Sequence, residues 1–285
     1  TDIAVDKMGV VVISGCDHIA MYDGLQWKMN YFGNIRVGPL SYSHFPYHFN
    51  NKSFIKSKDG ALYTIGNEIE KGWILKQVSG GSIFFKVFSY TTEKHNQFQS
   101  PAVSSSSNDF YFWFTDCHSN LILLNNQTSE IFPPSRFGVG GEYPDITCML
   151  LDRDEKSVWV GFSYRSKDDP SIVHFVGDTV KKSIYKNDSL ALNGMTAIAR
   201  DSSENIWFAS RGERKNGRVT VLRNNKLTTY LKDSDGKVFG GCNELFVDKS
   251  GVVWTHSDNG IARFDGSSWN LFESTAVSPD LPFAC

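Results

Sequence analysis

The chain of 285 residues is 40% hydrophobic and 21% charged, and its 29 Lys and Arg against 31 Asp and Glu give a formal net charge of −2. This is ordinary for a globular protein, and with no long block of like charge it argues against a nucleic-acid footprint. The sequence holds no run of 18 apolar residues and no charged-then-apolar leader, so neither a spanning helix nor a signal peptide is expected in it.

The first predicted elements are an apolar run at Ile3-Ala4-Val5, a turn over Asp6 to Gly9, and a second run through Val12. A third run ends in Asp23-Gly24, read as a two-residue hairpin, and a fourth covers Trp27–Tyr31. Short alternating runs broken by turn residues are strand signals.

The same unit returns at the far end of the chain. Asp6 aligns with Asp248, Gly9 with Gly251, Val12 with Trp254, Ile19 with Ile261, Asp23-Gly24 with Asp265-Gly266 and Trp27 with Trp269. Four further copies lie between. The marker in the second strand recurs as Val12, Tyr63, Phe112, Trp159, Trp207 and Trp254, at spacings of 51, 49, 47, 48 and 47. Third strands are predicted at Trp73–Gln77, Leu121–Asn125, Ile172–Val176 and Val219–Arg223. Fourth strands are predicted at Ile83–Phe88, Ser129–Phe132, Val180–Tyr185 and Leu227–Leu231.

Four antiparallel strands per unit, repeated six times, predict an all-β fold: a single six-bladed β-propeller. Its blades cover approximately 1–49, 50–98, 99–143, 144–192, 193–240 and 241–285. Read on from Cys285 into Thr1, the sequence matches Gly240 to Asp248, as expected of a ring cut between blades. Closure would remove exposed strand edges. The competing reading is a slice of a longer array.

The five cysteines, Cys16, Cys117, Cys148, Cys242 and Cys285, are far apart and form no CxxC pair, against a disulfide framework or zinc site. Cys242 and Cys285 hold equivalent places in neighbouring repeats, which disfavours a bridge between them given the reach of roughly 7 Å between Cα atoms. Sequons at Asn51, Asn126 and Asn187 are not far above chance in number and carry little weight.

The last copy, with Asp248, Gly251, Trp254, Gly260, Ile261, Arg263, Phe264, Asp265 and Trp269, resembles the two-component regulator propeller repeat. The copy from Asp201 through Trp207 with Val219–Leu222 is the next-best match, and those at Asp59–Tyr63 and Asn108–Phe112 are degenerate. The resemblance implies a periplasmic or extracellular sensor or binding domain, in some members one that recognises glycans. Fold alone does not give function, which must be argued from the site.

In such a fold, one face carries the loops between second and third strands and those between blades, and long loops on a rigid scaffold concentrate function. The loop from Gly33 to Lys52 carries Arg36, Tyr42, His44, Phe45, Tyr47, His48 and Phe49. Those rings suit stacking on sugars or an aromatic ligand, or a plug over the mouth of the propeller. Tyr90, Lys94, His95 and Phe98 follow in the next loop. Tyr164, Arg165, Arg211 and Arg214 lie in loops of the fourth and fifth blades, where arginine forks suit a carboxylate, sulfate or phosphate, or else a solvated rim.

Three loops hold metal-ligand types at Cys16-Asp17-His18, Asp116-Cys117-His118 and His256-Ser257-Asp258, with nothing to bring the three together. An enzyme alternative is a calcium-dependent hydrolase like gluconolactonases, with Asp2, Asp145, Asn193, Asn243 and Glu244 at the starts of innermost strands as oxygen ligands. A third reading is a protein–protein interaction platform. The reading carried forward is an extracellular or periplasmic module that binds a glycan, another small ligand or a partner protein on its loop face. It has no assigned catalytic residue, no cofactor, no nucleic-acid partner and no membrane insertion.

Overall fold

The structure is a computed structural model and describes residues 2–6, 8–14, 18–31, 36–37, 54–56, 62–68, 72–79, 82–84, 89–90, 99–105, 110–115, 120–125, 129–139, 146–152, 157–162, 169–185, 194–212 and 217–273. These residues form two compact units, Thr1–Arg136 with Leu151–Ser157, and Phe137–Leu150 with Val158–Cys285.

The first unit begins with a four-stranded sheet, β1 (Asp2–Val5), β2 (Val11–Ser14), β3 (His18–Tyr22) and β4 (Trp27–Tyr31), in that order. A six-stranded sheet follows, built on β7 (Leu62–Glu68) and β8 (Gly72–Ser79). Here both edge positions are split. β5 (Arg36–Val37) and β6 (Phe54–Lys56) share one side of β7, while β9 (Ser82–Phe84) and β10 (Ser89–Tyr90) share the outer side of β8. Residues 38–53 come between β5 and β6, which is why a simple four-strand reading fails there. The third sheet is β11 (Gln99–Ser105), β12 (Phe110–Thr115), β13 (Leu121–Asn125) and β14 (Ser129–Phe132), with Trp113 buried and stacked 5.9 Å from Phe132.

The second unit holds three four-stranded sheets in sequential order. They are β15 (Ile146–Leu151) to β16 (Ser157–Phe162), β17 (Pro170–Val176) and β18 (Thr179–Tyr185); β19 (Met195–Arg200) to β20 (Ile206–Ser210), β21 (Arg218–Arg223) and β22 (Lys226–Tyr230); and β23 (Cys242–Val247) to β24 (Val253–Ser257), β25 (Gly260–Phe264) and β26 (Trp269–Glu273). Five sheets in all are four-stranded and antiparallel among the described residues, and they resemble propeller blades.

Alternation along β20 explains how the second unit packs. Side chains on a strand point to opposite faces in turn. Trp207 and Ala209 join Val253, Ala262, Phe264, Trp269 and Leu271 of the last sheet. Ile206 and Phe208 join Cys148, Trp159, Ile172 and Ile184 of the sheet before. Trp207 is fully buried, edge-on to Phe264 at 4.9 Å and to Trp269 at 5.8 Å. A ring of this kind removes about 150–250 Å² from water, on the order of 4–6 kcal/mol as an upper bound.

The turns between first and second strands follow one design. Asp6, Asp201 and Asp248 each accept two backbone N–H groups on Oδ1, from Met8 and Val10, Ser203 and Asn205, and Ser250 and Val252, at 2.8 to 3.0 Å. Gly9 and Gly251 complete the turn at φ 84° and 82°, whereas Glu204 takes that place at φ 68°. A fourth turn of this form, Asp233 to Gly236, lies between β22 and β23 and pins that connection to β26, because Leu271 N donates to Asp233 Oδ2 at 3.2 Å.

The Asp-Gly pairs are not two-residue hairpins. Tyr22 pairs with Trp27 and Phe264 with Trp269, leaving four residues in each loop. The aspartate opens the turn: Asp265 Oδ1 accepts from Ser267 N and Ser268 N, both at 2.8 Å, and Asp23 Oδ1 from Leu25 N and Gln26 N. Asn224-Asn225 does form the two-residue turn, at φ 49° and 61° between paired Arg223 and Lys226.

Candidate functional site

The first strands of two sheets in the second unit share an irregularity at their starts. Met195 pairs with Ser210 and then Ala197 with Ala209; one repeat later Cys242 pairs with Ser257 and then Glu244 with His256. Thr196 and Asn243 are the extra residues. A bulge of this kind re-aims a side chain. Thr196 Oγ1 donates to Cys242 O at 2.8 Å and ties the two sheets together. Asn243 reaches sideways instead: its Oδ1 accepts from Arg211 Nε at 2.9 Å, and its Nδ2 donates to Asp258 Oδ1 at 3.3 Å.

Arg211 and Asp258 are equivalent residues of successive repeats. Each follows a second strand, and each anchors its backbone N–H on a glycine carbonyl, Gly194 O at 3.0 Å and Gly241 O at 2.9 Å. Asp258 turns its other oxygen onto Gly241 N at 3.2 Å. The backbone is close-set here: a Cβ on Gly217 would overlap Gly240 O and Cys242 N, so no larger residue fits. Beneath this surface, burial pushes the Cys242 thiol up to about 12; the Thr255 hydroxyl opposes this and the Asp258 charge adds to it. Cys242 and Cys148 are free thiols.

Arg211 is exposed, and among the described residues only the Nε of its side chain has a partner. Asn243 fixes the plane of the guanidinium, and both Nη groups remain to donate. A planar fork so held suits two oxygens of a carboxylate, sulfate or phosphate.

The structure brings together Arg211 and Asn243, which were predicted for different sites. Glu244 follows on β23, exposed and opposite His256. Asp2 lies in β1 opposite Ser14. Arg36 is in β5 opposite Asn67, not in a connecting loop. Tyr42, His44, Tyr47, His48, His95, Tyr164, Arg165, Arg214, Asp145 and Asn193 lie outside the described residues. The predicted loop at His256-Ser257-Asp258 is mostly strand: His256 and Ser257 belong to β24, and Ser257 pairs with Gly260 across a two-residue turn.

The calcium set does not fit at Asn243. Its Oδ1 accepts from a guanidinium, so a cation bound there would meet that positive charge. Among the described residues, no three His, Cys, Asp or Glu side chains converge. Sequence reasoning missed Asp258 and Thr196 as members of this cluster. The signal was present in the repeat, because Asp258 aligns with Arg211 and Thr196 with Asn243.

No protein-family model matches the chain, and no curated protein matches it by sequence. Solved structures do match by shape. The extracellular domain of the putative hybrid two component system BT4673 from B. thetaiotaomicron is similar at a TM-score of 0.58 and 13% identity, over 97% of this chain. This chain spans about a third of that domain's length, 33%. A catalytically inactive virginiamycin B lyase from Staphylococcus aureus, with quinupristin, is similar at 0.61 and 12% identity, over 96% of this chain and 85% of that one. YCF48 bound to D1 peptide is similar at 0.56 and 9% identity, over 95% and 79%. At these identities the likeness is one of fold alone. No helix among the described residues is long and apolar enough to cross a membrane.

Proposed function

We propose that this chain is a six-bladed propeller serving as an extracellular or periplasmic ligand-binding module, sensor-like in type, without catalytic residues of its own. The six sequence units and the fold-level likeness to the extracellular domain of a two component system support that reading. The observation that carries it is the arginine fork at Arg211, held in plane by Asn243 at 2.9 Å and, among the described residues, otherwise available. Its ligand presents a carboxylate or sulfate oxygen, on an acidic glycan, a small acid or an acidic side chain of a partner protein.

Calorimetric titration with trigalacturonate, heparin-derived disaccharide and citrate tests this reading. Binding by one of them that falls at least tenfold in Arg211→Ala, with Tm kept within a few degrees, supports it. Equal binding by Arg211→Ala and the parent, or no binding by any acidic probe, removes Arg211 from the ligand site.

A further inference from the structure

The opposite edge of the same two sheets, where the Asp-containing turns lie, holds a cleft of about 520 Å³. That lies within the range of about 300–1,000 Å³ usual for small-ligand sites. Ser202, Ser203 and Asn205 line it from the turn before β20, and Arg223 and Asn224 from the end of β21. Ser250 and Gly251 face them from the equivalent turn of the last sheet, and Asp265 closes it beside β25. The turns meet closely: a Cβ on Gly251 would lie 2.6 Å from Ser202 Oγ.

The hydrogen-bond partners sort this lining into occupied and available groups. Asp201 is fully engaged, with Ser203 N, Asn205 N, Asn205 Nδ2 and Trp207 Nε1 all donating to it at 2.8 to 3.0 Å. Among the described residues, Arg223, the Ser202 and Ser203 hydroxyls and the Asn224 amide have no side-chain partner. The available set therefore holds a pure donor in Arg223 and groups that both donate and accept in Ser202, Ser203 and Asn224, whereas Asp265, like Asp201, is engaged, accepting from Ser267 and Ser268 and from Asn270 Nδ2. An anion offers acceptors only and would face two carboxylates against one guanidinium. A neutral polyhydroxyl ligand offers both, since every hydroxyl donates once and accepts twice.

We propose that this turn-side cleft is a second binding site, for one or two rings of a neutral saccharide. It is independent of the acidic ligand assigned to Arg211, because it lies at the other end of the strands and asks for different chemistry. The test is calorimetric titration of the full chain with cellotriose, mannotriose, xylotriose and galactotriose, and with sodium sulfate and trigalacturonate as anionic probes. Arg223→Ala, Ser202→Phe, which fills the cleft, and Arg211→Ala at the opposite edge are measured beside the parent. Binding of a neutral trisaccharide that weakens at least tenfold in Arg223→Ala and Ser202→Phe, and is unchanged in Arg211→Ala, supports the site. Failure of all four neutral sugars overturns it. So does loss of sugar binding in Arg211→Ala alone, or weakening of only the anionic probes by Arg223→Ala.

Discussion

Trp207 donates its indole N–H to Asp201 Oδ2 across 2.8 Å, inside a core that leaves the ring no exposed surface. The aromatic marker of the repeat thus has two tasks, filling the space between sheets and satisfying the carboxylate that shapes the preceding turn. Trp207→Phe separates them. It keeps most of the packing but removes a donor from a buried carboxylate, and should cost about 1–3 kcal/mol in urea unfolding. Trp254→Phe removes the matching 2.9 Å bond to Asp248 at a half-buried site where water can replace it, and should cost less. Equal losses at the two sites would contradict this account.

Asp248 titrates at about 2, held down first by the Trp254 N–H, then by Ser250 and by backbone N–H groups of its turn. A carboxyl depressed from about 3.9 in the unfolded chain stabilises the fold at pH values above that figure. The contribution disappears as pH falls from about 4 towards 2. Asp265, held low by Ser268 and Ser267, acts in the same direction. The urea midpoint should fall over this range, and the fall should be shallower in Trp254→Phe. An NMR titration of Trp254→Phe should place the Asp248 carboxyl higher than in the parent.

Glu204 stands at φ 68° where Gly9 and Gly251 stand in sister turns. A side chain in that left-handed region carries strain, only partly offset by its 3.8 Å approach to Arg200 at the surface. Glu204→Gly should therefore raise stability by about 0.5–1 kcal/mol, read from the denaturant midpoint. A loss of stability would mean that the ion pair outweighs the backbone term.

Cys242 is fully buried with its thiol pushed up to about 12. The thiolate is the reactive form, so iodoacetamide at pH 8 should leave Cys242 unmodified in the folded chain and alkylate it in urea. Peptide mass mapping reads both states. Rapid labelling of the native protein would show that the strand start opens easily.

The strand repeat was legible because its markers are side chains with fixed periods: Leu121–Asn125 and Ser129–Phe132 are strands at the predicted bounds. The second unit of the repeat was read less well, since the insertion before Lys52 divides an edge position between β5 and β6, and chain continuity rather than composition decides that. The Asp-Gly loops were misread because the carboxylate of Asp23 or Asp265 binds N–H groups two and three residues on, which favours a four-residue loop over the shorter one. At the candidate site, Arg211 was visible as a charge on a loop and Asn243 as an oxygen ligand for a different site. Their pairing was not visible, because the turn of Asn243 towards Arg211 depends on a one-residue bulge, and a bulge leaves no mark in apolar alternation.

The double-sided packing of β20 has a bearing on how this chain could be re-engineered. With Trp207 and Ala209 fitted to one neighbour and Ile206 and Phe208 to the other, a sheet is not a cassette that can be exchanged by itself. A graft taken from another repeat would carry an aromatic cut for a different seat on each side. Transplantable pieces are therefore bounded by the gaps between sheets, each piece holding the facing halves of two neighbours.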